Sequence, residues 1–431
     1  MSLPSPVTNA SRFLPVLRRR VCPASPRCAA IGVAALATSL AVIFPGAAAL
    51  AAAPARPVAV PRTSGVLLAW GQNNDGQLGD GTTTNRDVPV KVRLPKGARI
   101  VQARSGCFFT VALTSTGEVL AWGLNLDGQL GDGSMLNSSK PVRVHIPART
   151  RIAQVRAGCA FAVARTSAGR VLAWGLNDVG QLGDGRAVNA MVPAWVRLPR
   201  HTIVTGVSAG TAHGLALTST GEVLAWGDNQ DGQLGNGRTT STNVPVKVKL
   251  PRAAHVRAVS AGGFFSLAQT KKGGVLAWGQ NNLGQLGDGN TNGTDRTVTV
   301  KLPADTKVTQ MFAGGFHAMV LTSKGRVLAW GNNGSGQLGT GNTNNSDVPV
   351  RVVLPARTKA TGIASCLNNS FALTSKGRAL AWGAEIFGEL GNGVATNTTV
   401  DQPVSVKLPG GVHVSTVACG PDASGGLAIE R

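Results

Sequence analysis

An all-β fold, a seven-bladed β-propeller of four-stranded antiparallel blades, is predicted by three features of this 431-residue chain. Trp-Gly recurs at Trp70, Trp122, Trp174, Trp226, Trp278, Trp330 and Trp382, always 52 residues apart. Six residues after each Trp comes Gly-Gln-Leu-Gly, as in Gly76-Gln77-Leu78-Gly79, with Gly388-Glu389-Leu390-Gly391 in the seventh copy. The run into each Trp, such as Val223-Leu224-Ala225-Trp226, is apolar on both alternating faces. A sheet with one wet face alternates apolar and polar residues, so this one must be covered on both sides. Radially stacked blades do that, and a four-stranded repeat of this length is the propeller signature.

One repeat reads as four strands, bounded by turn and breaker residues. Strand a is Val207-Ser208-Ala209, ending at Gly210; its small residues suit a crowded axis. Strand b is 214–218, and Ser219-Thr220-Gly221 turns the chain into strand c, 222–226. A long polar loop leads to strand d, 245–250, closed by Pro251. Lys247, Lys249 and Arg351 place charge at alternate positions of strand d, which suits an outermost edge where charge blocks pairing with other chains. The chain enters the first repeat at strand c, 66–70, and ends on a strand-b match, 426–429. The last blade therefore takes two strands from each end of the chain, and no stretch shows a sustained helical period.

Composition agrees: 56 Gly, 23 Pro, no Tyr and only 14% charged residues. The net charge of +22 favours anionic partners or surfaces. Residues 1–53 hold no acid, with Arg18-Arg19-Arg20 before an apolar run, 29–50, and Ala51-Ala52-Ala53 after it. This pattern is a secretory signal peptide, with an uncleaved anchor as the alternative and only a weak likeness to a twin-arginine signal. Residues 54–63 read as a short linker and 64–431 as the propeller. Cleavage removes five arginines and leaves +17. The expected protein is then secreted or envelope-associated, monomeric and without a later membrane span.

The repeat resembles the regulator of chromosome condensation family, through the Trp-Gly-x-Asn and Gly-Gln-Leu-Gly elements and Val207-Ser208-Ala209-Gly210-Thr211-Ala212-His213, echoed at Gly314-Gly315-Phe316-His317. The resemblance covers 64–431 and implies a seven-bladed propeller. The family's founder is a nuclear exchange factor for a small GTPase that also binds chromatin, and that activity implies a projecting wedge. The uniform Trp spacing predicts no insertion to form one. A secreted bacterial propeller that inhibits β-lactamases is similar in fold, with shorter repeats.

The seven tryptophans are expected in the core between blades. Trp195, in strand d, is expected to be partly exposed. Loops such as 73–81 resemble a calcium loop in composition but lack its spacing and distal Glu, so Asn, Asp and Gly are read as turn formers. Gly206-Val207-Ser208-Ala209-Gly210 matches a nucleophile-elbow pattern without the following helix. Gly334–Gly339 matches a dinucleotide pattern without a βαβ unit. His213 and His317 share a position with Phe109, Phe161 and Phe265, which indicates packing. No general acid–base set, metal site or cofactor is expected, and the chain is read as non-enzymatic.

Cys107, Cys159, Cys366 and Cys419 remain after cleavage, on blades consecutive around the ring. An even count in an exported chain suggests disulfides. The expected pairs are Cys107–Cys159 and Cys366–Cys419, with Cys107–Cys419 or four free thiols as alternatives. Arg149, Arg151, Arg252, Arg257, Lys271, Lys272, Lys324, Arg326, Arg357, Lys359, Lys376 and Arg378 fall on b–c turns and d–a links, which share one face. Few acids oppose them, and most Asp residues fall on the other face. The expected function is a scaffold binding a protein or an anionic envelope polymer, with nucleic acid a further candidate for the basic face. A secreted enzyme inhibitor is the alternative; a channel-sited hydrolase or lyase and a nucleotide exchange factor rank below it.

Overall fold

A computed structural model describes residues 65–431, apart from Ala253. The expected leader (1–53) and linker (54–63) lie outside the described residues. Twenty-eight strands form seven antiparallel sheets of four, with no helix among the described residues. We number the blades in chain order. Blade 1 holds strands Ile100–Ser105, Phe109–Thr114, Val119–Gly123 and Ser138–Arg143. Blades 2 to 5 repeat that plan. Blade 6 ends the series with Ala360–Ser365, Asn369–Thr374, Ala379–Glu385 and Thr398–Ser405. The closing blade joins Val414–Ala418 and Gly425–Glu430 from the C-terminal end to Leu67–Gly71 and Arg86–Lys91. Leu67 faces Ile429 and Trp70 faces Gly426, so the ring closes two strands to two.

Strand limits differ from the sequence reading in two places. Strand a of blade 3 runs Val204–Ala209, three residues longer at its start, because a bulge after Val204 restores its pairing. Strand d runs Thr242–Lys247, not 245–250. Pro245 sits inside this edge strand, where a missing N–H costs nothing on the solvent side. Beyond Lys247 the chain leaves the ladder, and Lys249 N–H bonds the Gly235 carbonyl of its own c–d loop instead.

Packing explains the repeat. Strands b and c are buried almost throughout, and each apolar cluster joins one blade to the next. One such cluster unites Phe161, Val163 and Leu182 of blade 2 with Val207, Leu224 and Trp226 of blade 3. Every repeat Trp is fully buried. Its indole N–H reaches back to the loop of the preceding blade, as Trp278 Nε1 does to the Gln233 carbonyl at 2.8 Å. Trp70 closes the circle by donating to the Glu389 carbonyl at 2.9 Å. The loop motif answers this contact residue by residue. Leu234 fills the core, the Gln233 carbonyl accepts the indole, and Gly235 lies flat against the ring. A Cβ on Gly235 would come 2.8 Å from the indole Cδ1, and its φ of +61° is left-handed.

At the axis the a–b turns form a girdle of backbone hydrogen bonds. Cys107 N–H donates to the Cys159 carbonyl, Cys159 to Thr211, Thr211 to Gly263, and Gly263 to Gly315. The glycine that ends strand a leaves no room for a side chain: a Cβ on Gly158 would lie 2.5 Å from the Gly210 carbonyl. The Cys107 and Cys159 Cα atoms are 4.5 Å apart and those of Cys366 and Cys419 5.7 Å, with each pair of sulfurs at bonding distance.

The expectation of no insertion fails in the last repeat. Ala418 faces Leu427 where Ala364 faces Phe371, so the closing a–b turn is two residues longer. Ala381 faces Val404 where Ala329 faces Val350, so the c–d loop of blade 6 is longer by two as well. Trp spacing could not register either one, because both follow the last Trp. The longer turn, 420–424, crosses the axis. Gly420 abuts the Ser105 carbonyl, the Asp422 carboxylate accepts the Thr211 hydroxyl at 2.8 Å, and the Ala423 carbonyl accepts Leu367 N–H. It plugs one end of the central channel rather than projecting as a wedge.

Replacing Trp278 by Ala should destabilise the fold by about 3–5 kcal/mol through the cavity left between blades. Gly235→Ala should lower the denaturation midpoint more than Gly97→Ala. Both glycines have positive φ, but nothing lies within 4 Å of a Cβ at Gly97. Equal shifts in the two variants would mean that the indole contact contributes nothing.

Candidate functional site

The c–d loops are built around a buried Asn. Asn125 accepts Leu130 N–H on its side-chain oxygen and donates to the Ser134 carbonyl and to Asp132. Asn73, Asn177, Asn229, Asn281 and Asn333 accept the equivalent Leu N–H in their loops, with Asn236 and Thr340 standing in for the Asp in the loops of Asn229 and Asn333. The amide thus gathers the loop's oxygens around its own N–H groups, the task a cation performs in a calcium loop. Blade 6 departs from this. Glu385 replaces the Asn and Glu389 the Gln; both are buried, and Glu385 Oε1 has no hydrogen-bond partner. Burial, and then the neighbouring Glu389 charge, push the Glu385 carboxyl up to about 8.

Held by these frames, the loops of blades 1 and 2 carry side chains that break the repeat. Leu126, Leu136 and Val188 are 60%, 76% and 69% exposed, and Met135, Met191 and Val192 are exposed beside them. Met191 stands where the other copies have Asp87, Ser139, Asn243, Asp295, Asp347 and Asp401. Leu136 matches Thr84, Thr240, Asn292 and Asn344. The two loops are joined: Gly133 N–H bonds the Met191 carbonyl, and Asn189 reaches Asp127. Reading the repeat as a whole missed this patch, which appears only when equivalent positions are compared one by one.

The twelve basic residues singled out from the sequence are all exposed; eleven lie on turns and links at one end of the blades, and Arg257, expected on a link, is the second residue of strand Val256–Ala261 and donates to the Val308 carbonyl. Of the few acids opposing them, Glu118 and Glu222 are engaged by Arg143 and Lys247 of strand d. Trp195 is half-buried, with the Arg170 guanidinium 3.6 Å over its ring.

Residues suited to chemistry are locked into structure. His213 and His317 are fully buried, and burial lowers both to about 3. His317 Nε2 contacts Ser370 and Ser365, but the Ser370 hydroxyl donates to the Gln337 carbonyl, and His317 Nδ1 meets no carboxylate to orient it. A nucleophile needs a base that a third group orients. Ser208, inside the nucleophile-elbow pattern, accepts Ala261 N–H from the next blade. The sulfurs of Cys107 and Cys159 and an Asp422 oxygen lie within 4.8 Å of one another. Disulfide-bonded sulfurs supply no thiolate, so this trio does not make the four-ligand metal centre such residues otherwise form.

Two buried acids make stability depend on pH. Burial lifts the Asp422 carboxyl to about 6, against an ordinary 3.8. The folded state then holds a proton that the unfolded chain has released, so stability falls as pH rises from about 4 to 6. Asp422→Asn should flatten that slope and stabilise the fold above pH 6 by roughly 3 kcal/mol. Glu385→Gln should flatten the slope between pH 5 and 8 in the same direction. Thermal denaturation across this range checks both; variants that track the native slope would contradict it.

Residues 45–301 and 188–429 match the RCC1-like domain family. The chain is 30% identical over 364 residues to the ultraviolet-B receptor UVR8 of Arabidopsis thaliana, covering 83% of this chain and 82% of that protein. The crystal structure of human WBSCR16 superposes with a TM-score of 0.76 at 28% identity, over 85% of this chain and 98% of that one. Saccharomyces cerevisiae Prp20p, studied for its binding to Gsp1p and histones, shares the fold with a TM-score of 0.74 at 23% identity, over 85% and 90% of the two chains. With its Trp-to-loop contacts, its seven four-stranded blades and its two-plus-two closure, this chain belongs to the RCC1-like domain family.

Proposed function

We propose that the chain is a non-enzymatic propeller scaffold that binds a protein through the apolar patch on blades 1 and 2. The observation that carries this reading is the local break in the repeat, where Leu126, Met135, Leu136, Val188 and Met191 replace polar residues and stay exposed. Contiguous exposed apolar side chains rimmed by polar ones are what protein interfaces present. Asp127 and Asp178 supply part of that rim, each raised from its ordinary value mainly by burial. Met side chains add adaptable, polarizable contact. Export under the N-terminal leader fits the two cysteine pairs at disulfide distance, since such bonds persist in oxidising compartments.

The second reading is an anionic polymer on the opposite face, favoured by the eleven exposed Lys and Arg side chains on its turns and links. The two readings separate by salt: phosphate- or sulfate-rich partners release counterions and lose affinity steeply as salt rises, whereas apolar docking does not.

Immobilised full-length protein should capture a partner from the producing cell's secretome and envelope at both low and moderate salt. Leu136→Asp with Met191→Asp should weaken that capture at least tenfold while melting stays native. Unchanged capture by the double variant would overturn the patch. Lys271→Gln with Lys272→Gln should reduce retention on heparin at low salt if the basic face binds polymers. Mass spectrometry of the exported protein should find an N-terminus after Ala53 and no alkylatable thiols without reductant.

A further inference from the structure

We propose that the central channel is a binding site for a small oxyanion of the phosphate or sulfate class, held between Arg104 and Arg156. The channel contains a cavity of about 230 Å³ that stops at Gly420 and Pro421 of the plug. Five of the seven equivalent strand-a positions line it, Arg104, Arg156, Ser208, Ser260 and Phe312; the other two copies are alanines packed between blades. The two arginines are neighbours on blades 1 and 2. Each is enclosed by protein yet partly open to the water of the channel.

Each guanidinium has five N–H groups and commits one to a hydrogen bond within its own strand, Arg104 to the Ala103 carbonyl at 2.7 Å and Arg156 to the Val155 carbonyl at 2.9 Å. The ion pairs among the described residues, at Arg86, Arg143 and Lys247, include neither. Asp422, the carboxylate of the plug, is taken up by Thr211 and does not line the cavity. Ser208 and Ser260 accept backbone N–H groups from the next blade, which fixes their hydroxyls beside the arginines with the O–H still free to donate. On the far side, the ring of Phe312 faces Arg104 at 6.0 Å.

Two like charges side by side in one partly open cavity repel, and burial disfavours each of them. Burial lowers Arg104 to about 10, and Arg156 is lowered further by burial and then by the charges of Arg104 and Arg165. An anion between the two forks converts that repulsion into paired, charge-assisted hydrogen bonds of the geometry arginine makes with phosphate. The cavity is too small for a polymer or a folded partner. The site is therefore separate from both surfaces described above.

The test uses the full-length protein and inorganic phosphate, with chloride at matched ionic strength as the control and glycerol phosphate to tell a free ion from a phosphomonoester. Phosphate should raise the melting temperature saturably beyond chloride. Arg104→Gln and Arg156→Gln should each weaken phosphate binding at least tenfold and should melt no lower than the native protein without phosphate. Arg252→Gln, on the exposed face, should leave the response intact. Equilibrium dialysis of native protein should find close to one phosphate per chain, which keeps the proposal testable if either variant fails to fold. A native response equal to chloride, a response unchanged in both arginine variants, or dialysis without a stoichiometric site would overturn it.

Discussion

Every inter-blade joint depends on one contact, the indole of a strand-c tryptophan laid on the loop of the preceding blade. The ring supplies apolar area to the joint, and its N–H satisfies a loop carbonyl that burial would otherwise strand. Because the loop glycine must lie under the ring, the loop backbone is forced into left-handed φ at that point, and only Gly tolerates both demands. The 52-residue period follows from this joint, since the spacing between a Trp and the loop it meets is the same in each copy. Closure obeys the same rule, with Trp70 meeting the Glu389 loop across the whole length of the domain.

A scaffold made of near-identical joints confines its individuality to the places where copies differ. Three departures stand out. Blades 1 and 2 replace polar loop residues by Leu, Met and Val; the channel ring replaces small residues by two arginines; and the closing blade extends its a–b turn over the axis. Each departs from a position whose other copies serve folding alone, so folding gives no reason for it. The buried histidines and Ser208 are the reverse case. They look chemical in isolation, but each is tied into hydrogen bonds that join neighbouring blades.

The departures that accompany closure gather in the last repeat. It carries both two-residue insertions, the Glu385–Glu389 pair in place of Asn and Gln, and the buried Asp422. These acids hold protons more tightly in the fold than outside it, so rising pH destabilises this part of the ring. The neighbouring Cys366–Cys419 pair joins blade 6 to the closing blade, in which the two ends of the chain pair.

The sequence by itself determined the architecture. Seven tryptophans in register, a loop motif recurring after each of them and strands apolar on both faces admit only a ring of stacked blades, and the strand matches at 66–70 and 426–429 fixed how it closes. It also located the basic turns and links, because antiparallel order dictates which connections share a face. The sequence left strand d displaced by three residues, since a proline inside an edge strand reads locally as its start. Only the tertiary structure decided what lies at the axis. Arg104 and Arg156 are ordinary basic residues in a linear reading, and Asp422 is one turn aspartate among many. Their burial arises from seven strands converging on a line, and a periodic pattern specifies that convergence without revealing which side chains it encloses.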